Sequence, residues 1–244
     1  MSLVDCDGRA FGNPVASMGN VGWCTITAGF LASANRIRDN RLMRQSWLLR
    51  GTVAFALLIA VQEFPHQLTP AFKISPGAKI YVIGDSISAG MGRDKVLWPT
   101  VLSEITGLSV TNLAQPGATV ASAQKQIAKL PKEPCVVIVE IGGNDLLGGA
   151  SAEQFRGGLQ KLLMHLHNDG HQLLMFELPL YPLTNSFGRA QRELAALYGV
   201  TLIPKRFFTN VLGSEGATED GLHLSPLGHQ LFAKNTAAIL NISK

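Results

Sequence analysis

The sequence contains few of the residues and motifs that mark disulfide-rich, metal-binding or nucleotide-binding proteins. Its 244 residues include three cysteines, Cys6, Cys24 and Cys135, and no two of them form a CxxC pair or show metal-ligand spacing. A disulfide between Cys6 and Cys24 stays open, but neither a disulfide framework nor a cysteine metal site is indicated. G-x-G-x-x-G and P-loop sequences are absent, which disfavours a phosphate-binding turn. G-x-S-x-G is absent as well, which disfavours the nucleophile elbow of the α/β-hydrolases.

Charged residues are scarce, and their signs are unevenly distributed. They make up 16% of the chain against 46% hydrophobic residues, a composition typical of a folded domain with a core. Residues 1–78 hold seven Lys/Arg against four Asp/Glu, whereas residues 79–244 hold fourteen against thirteen. Because the larger part of the chain is nearly neutral, we do not expect a nucleic-acid partner.

A basic segment followed by a short apolar run precedes the larger part of the chain. Five arginines between residues 36 and 50 come before the apolar run of residues 51–61, a layout typical of a signal peptide or signal anchor. Eleven helical residues would cross only about half of a hydrocarbon core of ~30 Å. The alternative is a buried apolar helix that packs on the domain.

These patterns predict the domain organisation and the localisation. We predict residues 1–42 as an N-terminal extension that need not belong to the mature protein, and residues 43–62 as a signal peptide or signal anchor. Residues 63–78 contain prolines and are predicted as a linker. We expect export to the periplasm or the cell exterior, or membrane association through residues 44–61; a cytoplasmic location is the less favoured alternative.

From residue 79 onward, short apolar runs alternate with helical patterns. The runs that predict buried strands are 79–84, 108–113, 135–142, 171–178 and 200–204. Apolar residues at helical spacing predict helices over 95–106, 119–130, 152–168, 186–198 and 226–240. Strands that alternate with helices predict an α/β fold with a parallel sheet covered on both faces. Ligands in such sheets bind beyond the carboxyl ends of the strands.

The chemically useful residues follow the predicted strands. A serine hydroxyl becomes an effective nucleophile when a base accepts its proton. Ser86 stands at a strand-to-helix turn, and His223 can supply the base, oriented by Asp220 three residues earlier. The N–H of Ser86, the N–H of Gly117 and the side-chain amide of Asn144 are the candidate donors to a tetrahedral oxyanion.

Four other acidic residues are interpreted as structural. Asp85 and Asp145 flank the candidate site residues, and we expect them to bond nearby main-chain N–H groups. Glu140 and Glu177 lie in apolar strands, so each needs a polar partner if it is buried.

These blocks resemble a known family. GDSIS at 84–88, the Gly117 turn, GGND at 142–145 and DGLH at 220–223 resemble, in order, the four conserved blocks of the SGNH or GDSL hydrolases. The resemblance covers about residues 79–240 and implies Ser86, Gly117, Asn144 and His223 as signature residues, with Asp220 as the triad acid. It implies a flavodoxin-like three-layer α/β/α sandwich with a five-stranded parallel sheet, which we assign to residues 79–244.

Within the family, the sequence is most similar to small bacterial thioesterase, lysophospholipase and arylesterase enzymes. We therefore expect hydrolysis of carboxylic esters or thioesters through an acyl-enzyme, without metal or cofactor. The expected partner is a small-molecule or lipid acyl ester. A carbohydrate O-acetyl esterase is the first alternative, and a non-catalytic ligand-binding module is the second. The segment 181–188 is expected to border the acyl pocket.

Overall fold

The computed structural model describes residues 43–61, 63–92, 96–179 and 184–242. The predicted extension of residues 1–42 lies outside the described residues, as do residues 181–183 of the segment expected to border the acyl pocket. The chain divides into two units, Met1–Glu63 and Phe64–Lys244, and each is described by itself.

In the first unit, residues 43–61 form helix α1. Its large apolar side chains are exposed, among them Trp47 and Leu48. Across the described ranges of both units, no helix combines the length and the apolar composition that crossing a membrane requires.

The second unit alternates strands and helices around a central sheet. After a 3-10 helix at Phe64–Gln67, the elements are β1 (Phe72–Ile74), β2 (Ile80–Gly84), α2 (Ser86–Ala89), α3 (Trp98–Thr106), β3 (Val110–Asn112), α4 (Gln124–Ile127), β4 (Val136–Glu140), α5 (Gly143–Leu147), α6 (Ala152–Asn168), β5 (Gln172–Phe176), α7 (Asn185–Leu197), β6 (Thr201–Ile203), α8 (Lys205–Leu212), α9 (Pro226–Ile239) and β7 (Leu240–Ile242). The five-stranded sheet has the order β3-β2-β4-β5-β6, and every neighbouring pair is parallel. The predicted α/β fold with a five-stranded parallel sheet is therefore confirmed.

The central strand β4 shows why this sheet is covered on both faces. All five of its residues are buried, and β-branched side chains suit a strand that meets apolar neighbours on each side. Val137 and Val139 belong to the core cluster that includes α6 and α7. Val136 and Ile138 belong to the cluster that includes α3, α8 and α9. The alternation along one strand thus builds two cores, one on each face.

Helix ends follow local sequence signals. In α6, Ser151 and Gln154 form a reciprocal capping box, which satisfies main-chain donors that the first turn leaves free. The buried residues of α6 recur at helical spacing from Phe155 to Leu166. Helix α3 ends at Gly107, which adopts φ +70°, a conformation that glycine adopts without a steric penalty.

Three features differ from the predicted elements. Helix α4 spans Gln124–Ile127, which is shorter than the predicted 119–130, and α5 and α8 were not predicted. The segment predicted as a linker contains β1, which pairs in parallel with β7 at the other end of the chain. Ile74 of β1 is fully buried. At least this part of residues 63–78 therefore belongs to the folded second unit.

The order of the strands in the sheet determines where the candidate site lies. β3 lies on one side of β2, while β4, β5 and β6 follow on the other side. The order of connection reverses beside β2, and a crevice opens at such a switch point beyond the carboxyl ends of the strands. The residues that follow β2 and β4 meet at this crevice.

Candidate active site

Ser86 is held at the turn between β2 and α2. It is the first residue of α2, and Asp85 caps the helix by accepting a hydrogen bond from the Ile87 N–H on Oδ1 at 3.0 Å. The main chain just before it is fixed by a buried side chain, because Gln126 accepts from the Gly84 N–H at 3.0 Å and donates to the Gly84 carbonyl at 2.9 Å. The position of Ser86 is therefore determined from both sides of the turn.

Asp220 and His223 form a local pair in the loop before α9. Asp220 Oδ2 lies 2.7 Å from His223 Nδ1. Asp220 Oδ1 also accepts hydrogen bonds from the N–H groups of Leu222 at 3.0 Å and His223 at 2.8 Å. The side-chain hydrogen bond from His223, together with these main-chain bonds, holds the pKa of Asp220 well below its usual range. The carboxylate is thus ionised and acts only as an acceptor.

Ser86 and His223 come together in one cavity, although 137 positions separate them in the sequence. Within the described residues, no hydrogen bond joins the Ser86 hydroxyl to the imidazole of His223. Such bonds often tighten only when substrate binds. The cavity brings Ser86, Asn144 and His223 to a common surface, whereas Asp220 and Gly117 stand outside its lining.

One hydrogen bond connects the candidate oxyanion donor Asn144 to the loop that carries the second candidate, Gly117. Asn144 Nδ2 donates to the carbonyl oxygen of Ala118 at 3.0 Å, which connects the start of α5 to the loop that carries Gly117. Gly117 has φ +73° and follows Pro116 in a turn closed by the Ala118 N–H bond to Gln115 O at 3.1 Å. This is the position of a type II turn where glycine is preferred. A Cβ at Gly117 would have open space, so its φ value is the local reason for glycine.

Three acidic groups are buried around Ser86. Asp85 is 3% exposed and Glu140, the last residue of β4, is 2% exposed. Burial raises the pKa of Asp85 to about 6, against the opposing effects of the Ile87 N–H and His223. Burial, followed by the neighbouring Asp85 carboxyl, raises the pKa of Glu140 well above its usual range. Asp145 accepts from the Val120 N–H at 3.0 Å, and burial raises its pKa too.

Glu140 belongs to a polar network beneath the Ser86 turn. Its Oε2 accepts from the Ser88 hydroxyl at 2.8 Å, and Ser88 Oγ accepts from Trp98 Nε1 at 3.2 Å. Asn112 Nδ2 donates to the Ser88 carbonyl at 2.7 Å. The expected hydrogen-bonded roles of Asp85 and Asp145 are confirmed, and Glu140 has the polar partner that its burial requires.

The cavity combines a polar end with an apolar end. Its polar lining includes Ser86, Asn144 and His223, and its volume is about 140 Å³. The apolar lining residues beyond α2 are Leu147, Leu178, Pro179, Phe208 and Leu222. Phe208 lies on α8, which is outside the helices predicted from the sequence. The spacing of Phe208 and Val211, which are both buried, is the helical signal that could have located it.

No metal-binding group is evident near this cavity or elsewhere in the described chain. Among the described residues, no set of three or more His, Cys, Asp and Glu side chains is arranged to hold a metal ion.

Known proteins are similar to this chain in sequence and in fold. The family model described as GDSL-like Lipase/Acylhydrolase matches residues 82–231, which is more than half of the chain. Esterase TesA of Pseudomonas aeruginosa is 29% identical over 161 residues, which cover 59% of this chain and 78% of that protein. Thioesterase 1/protease 1/lysophospholipase L1 of Escherichia coli is 27% identical over 168 residues, which cover 62% and 78% respectively. A crystal structure of TesA superposes with a TM-score of 0.60 at 27% identity and covers 66% of this chain and 97% of that one.

Proposed function

This chain belongs to the GDSL-like lipase/acylhydrolase family and hydrolyses ester bonds, and on that premise we propose that it works in two steps through an acyl-enzyme on Ser86. The observation that carries the proposal is the 2.7 Å contact between Asp220 Oδ2 and His223 Nδ1, made by a histidine that lines one cavity with Ser86. A module that only binds ligands has no use for this arrangement.

The Asp220 contact determines which nitrogen of His223 carries the proton. Because the ionised carboxylate can only accept, the proton on the neutral imidazole lies on Nδ1 and donates to Asp220. The lone pair of Nε2 is then free to accept the proton of the Ser86 hydroxyl. Asp220 also stabilises the imidazolium that this transfer creates.

The two steps balance protons and bonds. Ser86 Oγ attacks the carbonyl carbon of the ester or thioester while its proton passes to His223. The tetrahedral intermediate collapses as His223 protonates the departing alcohol or thiol, and the acyl group stays on Ser86. Water then attacks the acyl carbonyl carbon, its proton passes through His223 to Ser86 Oγ, and the carboxylic acid is released.

The oxyanion of each intermediate needs fixed donors. We assign this role to the N–H of Ser86, the N–H of Gly117 and the side-chain amide of Asn144. One N–H of the Asn144 amide is used by Ala118 O, so this bond orients the side chain while the second N–H stays available to the oxyanion. Preorganised donors of this kind stabilise the charge with little rearrangement at the moment of reaction.

The lining of the cavity favours an acyl substrate. Apolar side chains dominate the part of the cavity beyond Ser86 and Asn144, and such a surface gains free energy by burying an alkyl chain. Acyl esters, thioesters and lysophospholipids are therefore the favoured substrate class. A carbohydrate O-acetyl esterase is the second candidate, because an acetyl group is small enough for a cavity of about 140 Å³.

Covalent labelling tests the acyl-enzyme. A serine-directed phosphonate should modify Ser86 alone, and Ser86→Ala should abolish hydrolysis of p-nitrophenyl esters while thermal unfolding stays unchanged. Ser103→Ala is the matched control, because Ser103 donates to the Leu108 carbonyl within α3 and its loop and should keep full activity. Labelling at another residue, or an active Ser86→Ala protein, would disprove the assignment.

We also propose that residues 44–61 direct export or bind the chain to a membrane surface ahead of a hydrolase domain. Exposed apolar side chains along α1 and the arginines around them support this proposal, because basic groups attract anionic lipids while apolar groups enter the interface. Cell fractionation of the full-length chain tests it. Recovery of all the protein in the cytoplasmic fraction would contradict it.

A further inference from the structure

We infer that Glu140 is a positioning residue that holds the turn carrying Ser86 in place for attack on the ester, an inference that rests on the proposed function. Glu140 is the last residue of β4 and pairs in the sheet with Gly84, the last residue of β2. Ser86 follows Gly84 by two positions. Glu140 lies at the floor of the cavity and is only 2% exposed. It is therefore placed beneath the turn, where it can orient Ser86 without contacting the substrate.

The Glu140 carboxyl group interacts with donors on both sides of Ser86. Its Oε2 accepts from the Ser88 hydroxyl at 2.8 Å. Burial and then the Asp85 carboxyl raise the pKa of Glu140, and the Ser88 hydroxyl together with the main-chain N–H groups of Asp85 and Ser88 opposes that rise. One buried side chain thus holds both the residue before Ser86 and the residue two positions after it.

The carboxyl group reaches the turn because residue 84 has no side chain. A Cβ at Gly84 would lie 2.8 Å from Ser88 Oγ and 3.0 Å from Glu140 Oε2, closer than the 3.4–4 Å of ordinary van der Waals contact. Atoms packed this closely transmit a shift in one group to its neighbours. The turn therefore has little room to move while the Glu140 side chain is in place.

The same network extends to the helix that follows the His223 loop. Ser88 Oγ accepts from Trp98 Nε1 at 3.2 Å, and Trp98 is fully buried. The main-chain N–H of Trp98 in turn donates to Nδ1 of His229 on α9 at 3.3 Å. Because Ser86 and His223 come from distant parts of the chain, contacts between their supporting elements set the distance that the Ser86 proton must cross.

Removing the acceptor should misplace Ser86. Glu140→Met introduces a side chain of similar length without an oxygen, and a misplacement of about 1 Å can cost ~10²-fold in rate. We expect kcat on p-nitrophenyl butyrate and the rate of phosphonate labelling to fall about 100-fold, while KM changes little. Glu140→Gln keeps an oxygen that can accept from the Ser88 hydroxyl, so its kcat should stay within about tenfold of wild type.

A double-mutant cycle with Ser88→Ala tests whether Glu140 acts through the turn. Ser88→Ala should lower kcat by about tenfold, and the double variant should be no slower than Glu140→Met alone, because residues of one hydrogen-bond network are not additive. Losses that multiply in the double variant would overturn the inference. A folded Ser88→Ala enzyme with wild-type kcat would do so as well, and this variant decides the matter if the Glu140 variants do not fold.

Glu177→Met provides the matched control. Glu177 directly follows β5, is 1% exposed, and accepts from the Lys205 N–H at 3.1 Å and from Arg192 Nε at 2.7 Å. It is thus an equally buried glutamate that bonds α7 and α8 instead of the Ser86 turn, so its loss should lower Tm and leave most of kcat.

Three results with folded variants would contradict the inference: wild-type kcat in Glu140→Met, equal losses of kcat in Glu140→Met and Glu177→Met, or Glu140→Gln as slow as Glu140→Met. Failure of the proposed function is distinguishable from these results. In that case the wild-type protein would cleave no ester, and phosphonate would not label Ser86.

Discussion

Replacing Asn144 tests the proposed oxyanion site most directly. Asn144→Ala removes the side-chain amide that lines the cavity together with Ser86 and His223. The proposed donor acts mainly in the transition state, where the negative charge forms. Loss of one such donor typically lowers kcat by ~10²–10³, or roughly 2.7–4 kcal/mol of transition-state stabilisation. KM should change little, because the amide stabilises mainly the transition state and contributes little to binding of the unreacted substrate.

The structure also predicts a modest loss of stability in the same variant. Asn144 Nδ2 donates to the carbonyl oxygen of Ala118 at 3.0 Å, and Ala118 is buried. One intramolecular hydrogen bond contributes about 0.5–1.5 kcal/mol to the free energy of unfolding. For a domain of this size, a loss of 1 kcal/mol lowers Tm by roughly 2–4 °C. The variant should therefore stay folded while it loses most of its activity.

Two further variants separate catalysis from structure. Asn144→Asp should be no more active than Asn144→Ala, because a carboxylate repels the oxyanion and cannot donate to Ala118 O. Asn112→Ala is the matched control, because Asn112 likewise donates from Nδ2 to a main-chain carbonyl, that of Ser88 at 2.7 Å, but does not line the cavity. It should lower Tm at least as much, because Asn112 Oδ1 also accepts from the Ala114 N–H at 3.1 Å, and it should keep most of its kcat.

The assay is kcat and KM on p-nitrophenyl butyrate together with thermal unfolding of the same preparations. A folded Asn144→Ala enzyme with wild-type kcat would remove Asn144 from the oxyanion site. Equal losses of kcat in Asn112→Ala and Asn144→Ala would show that Asn144 acts only through structure.

Three other predictions follow from burial and backbone geometry. Burial raises the pKa of Asp85 to about 6 from its usual 3.8, so the folded state holds this proton more tightly than the unfolded chain does. The contribution of Asp85 to stability should therefore fall by about 3 kcal/mol as the pH rises from about 4 to 6. Asp85→Asn, which can still accept from Ile87, should weaken that fall in urea titrations; an unchanged pH dependence would contradict it. Gly142→Ala should lower Tm, because Gly142 has φ +113° and a Cβ would lie 2.7 Å from Phe155 Cε2; a wild-type Tm would count against this geometry. Burial raises the pKa of the Cys135 thiol to about 11, so iodoacetamide at pH 8 should alkylate it only after the protein unfolds. Peptide mapping checks this, and alkylated Cys135 in the native protein would contradict it.

Two buried glutamines illustrate what is hard to read from sequence. Gln126 bonds both the N–H and the carbonyl of Gly84, and Gln191 accepts from the Leu178 N–H at 2.9 Å and donates to the Phe176 carbonyl at 3.1 Å. Each side chain satisfies main-chain groups near the carboxyl end of a strand, where a buried polar group without a partner is costly. Their helical positions resemble those of any polar surface residue until the sheet is in place.

The strands and most helices were predictable because their patterns are local. β4 is a continuous apolar run, and α6 repeats its apolar residues at helical spacing and carries its own capping box. Short elements were missed for the opposite reason. α8 has only eight residues, and the three-residue strands β1 and β7 pair across most of the chain, so neither has a pattern long enough to recognise.

Local sequence patterns were enough to predict the class of fold and the residues proposed for the chemistry. Asp220 and His223 interact within one turn, so three residues of spacing were enough to pair them. Tertiary structure alone decided which side chains meet across long separations, because sheet order and packing between layers bring distant residues together. It placed Ser86 and His223 in one cavity and added Phe208 from α8 to its lining. It also buried Asp85 and Glu140 side by side, which raises the pKa of both carboxyls.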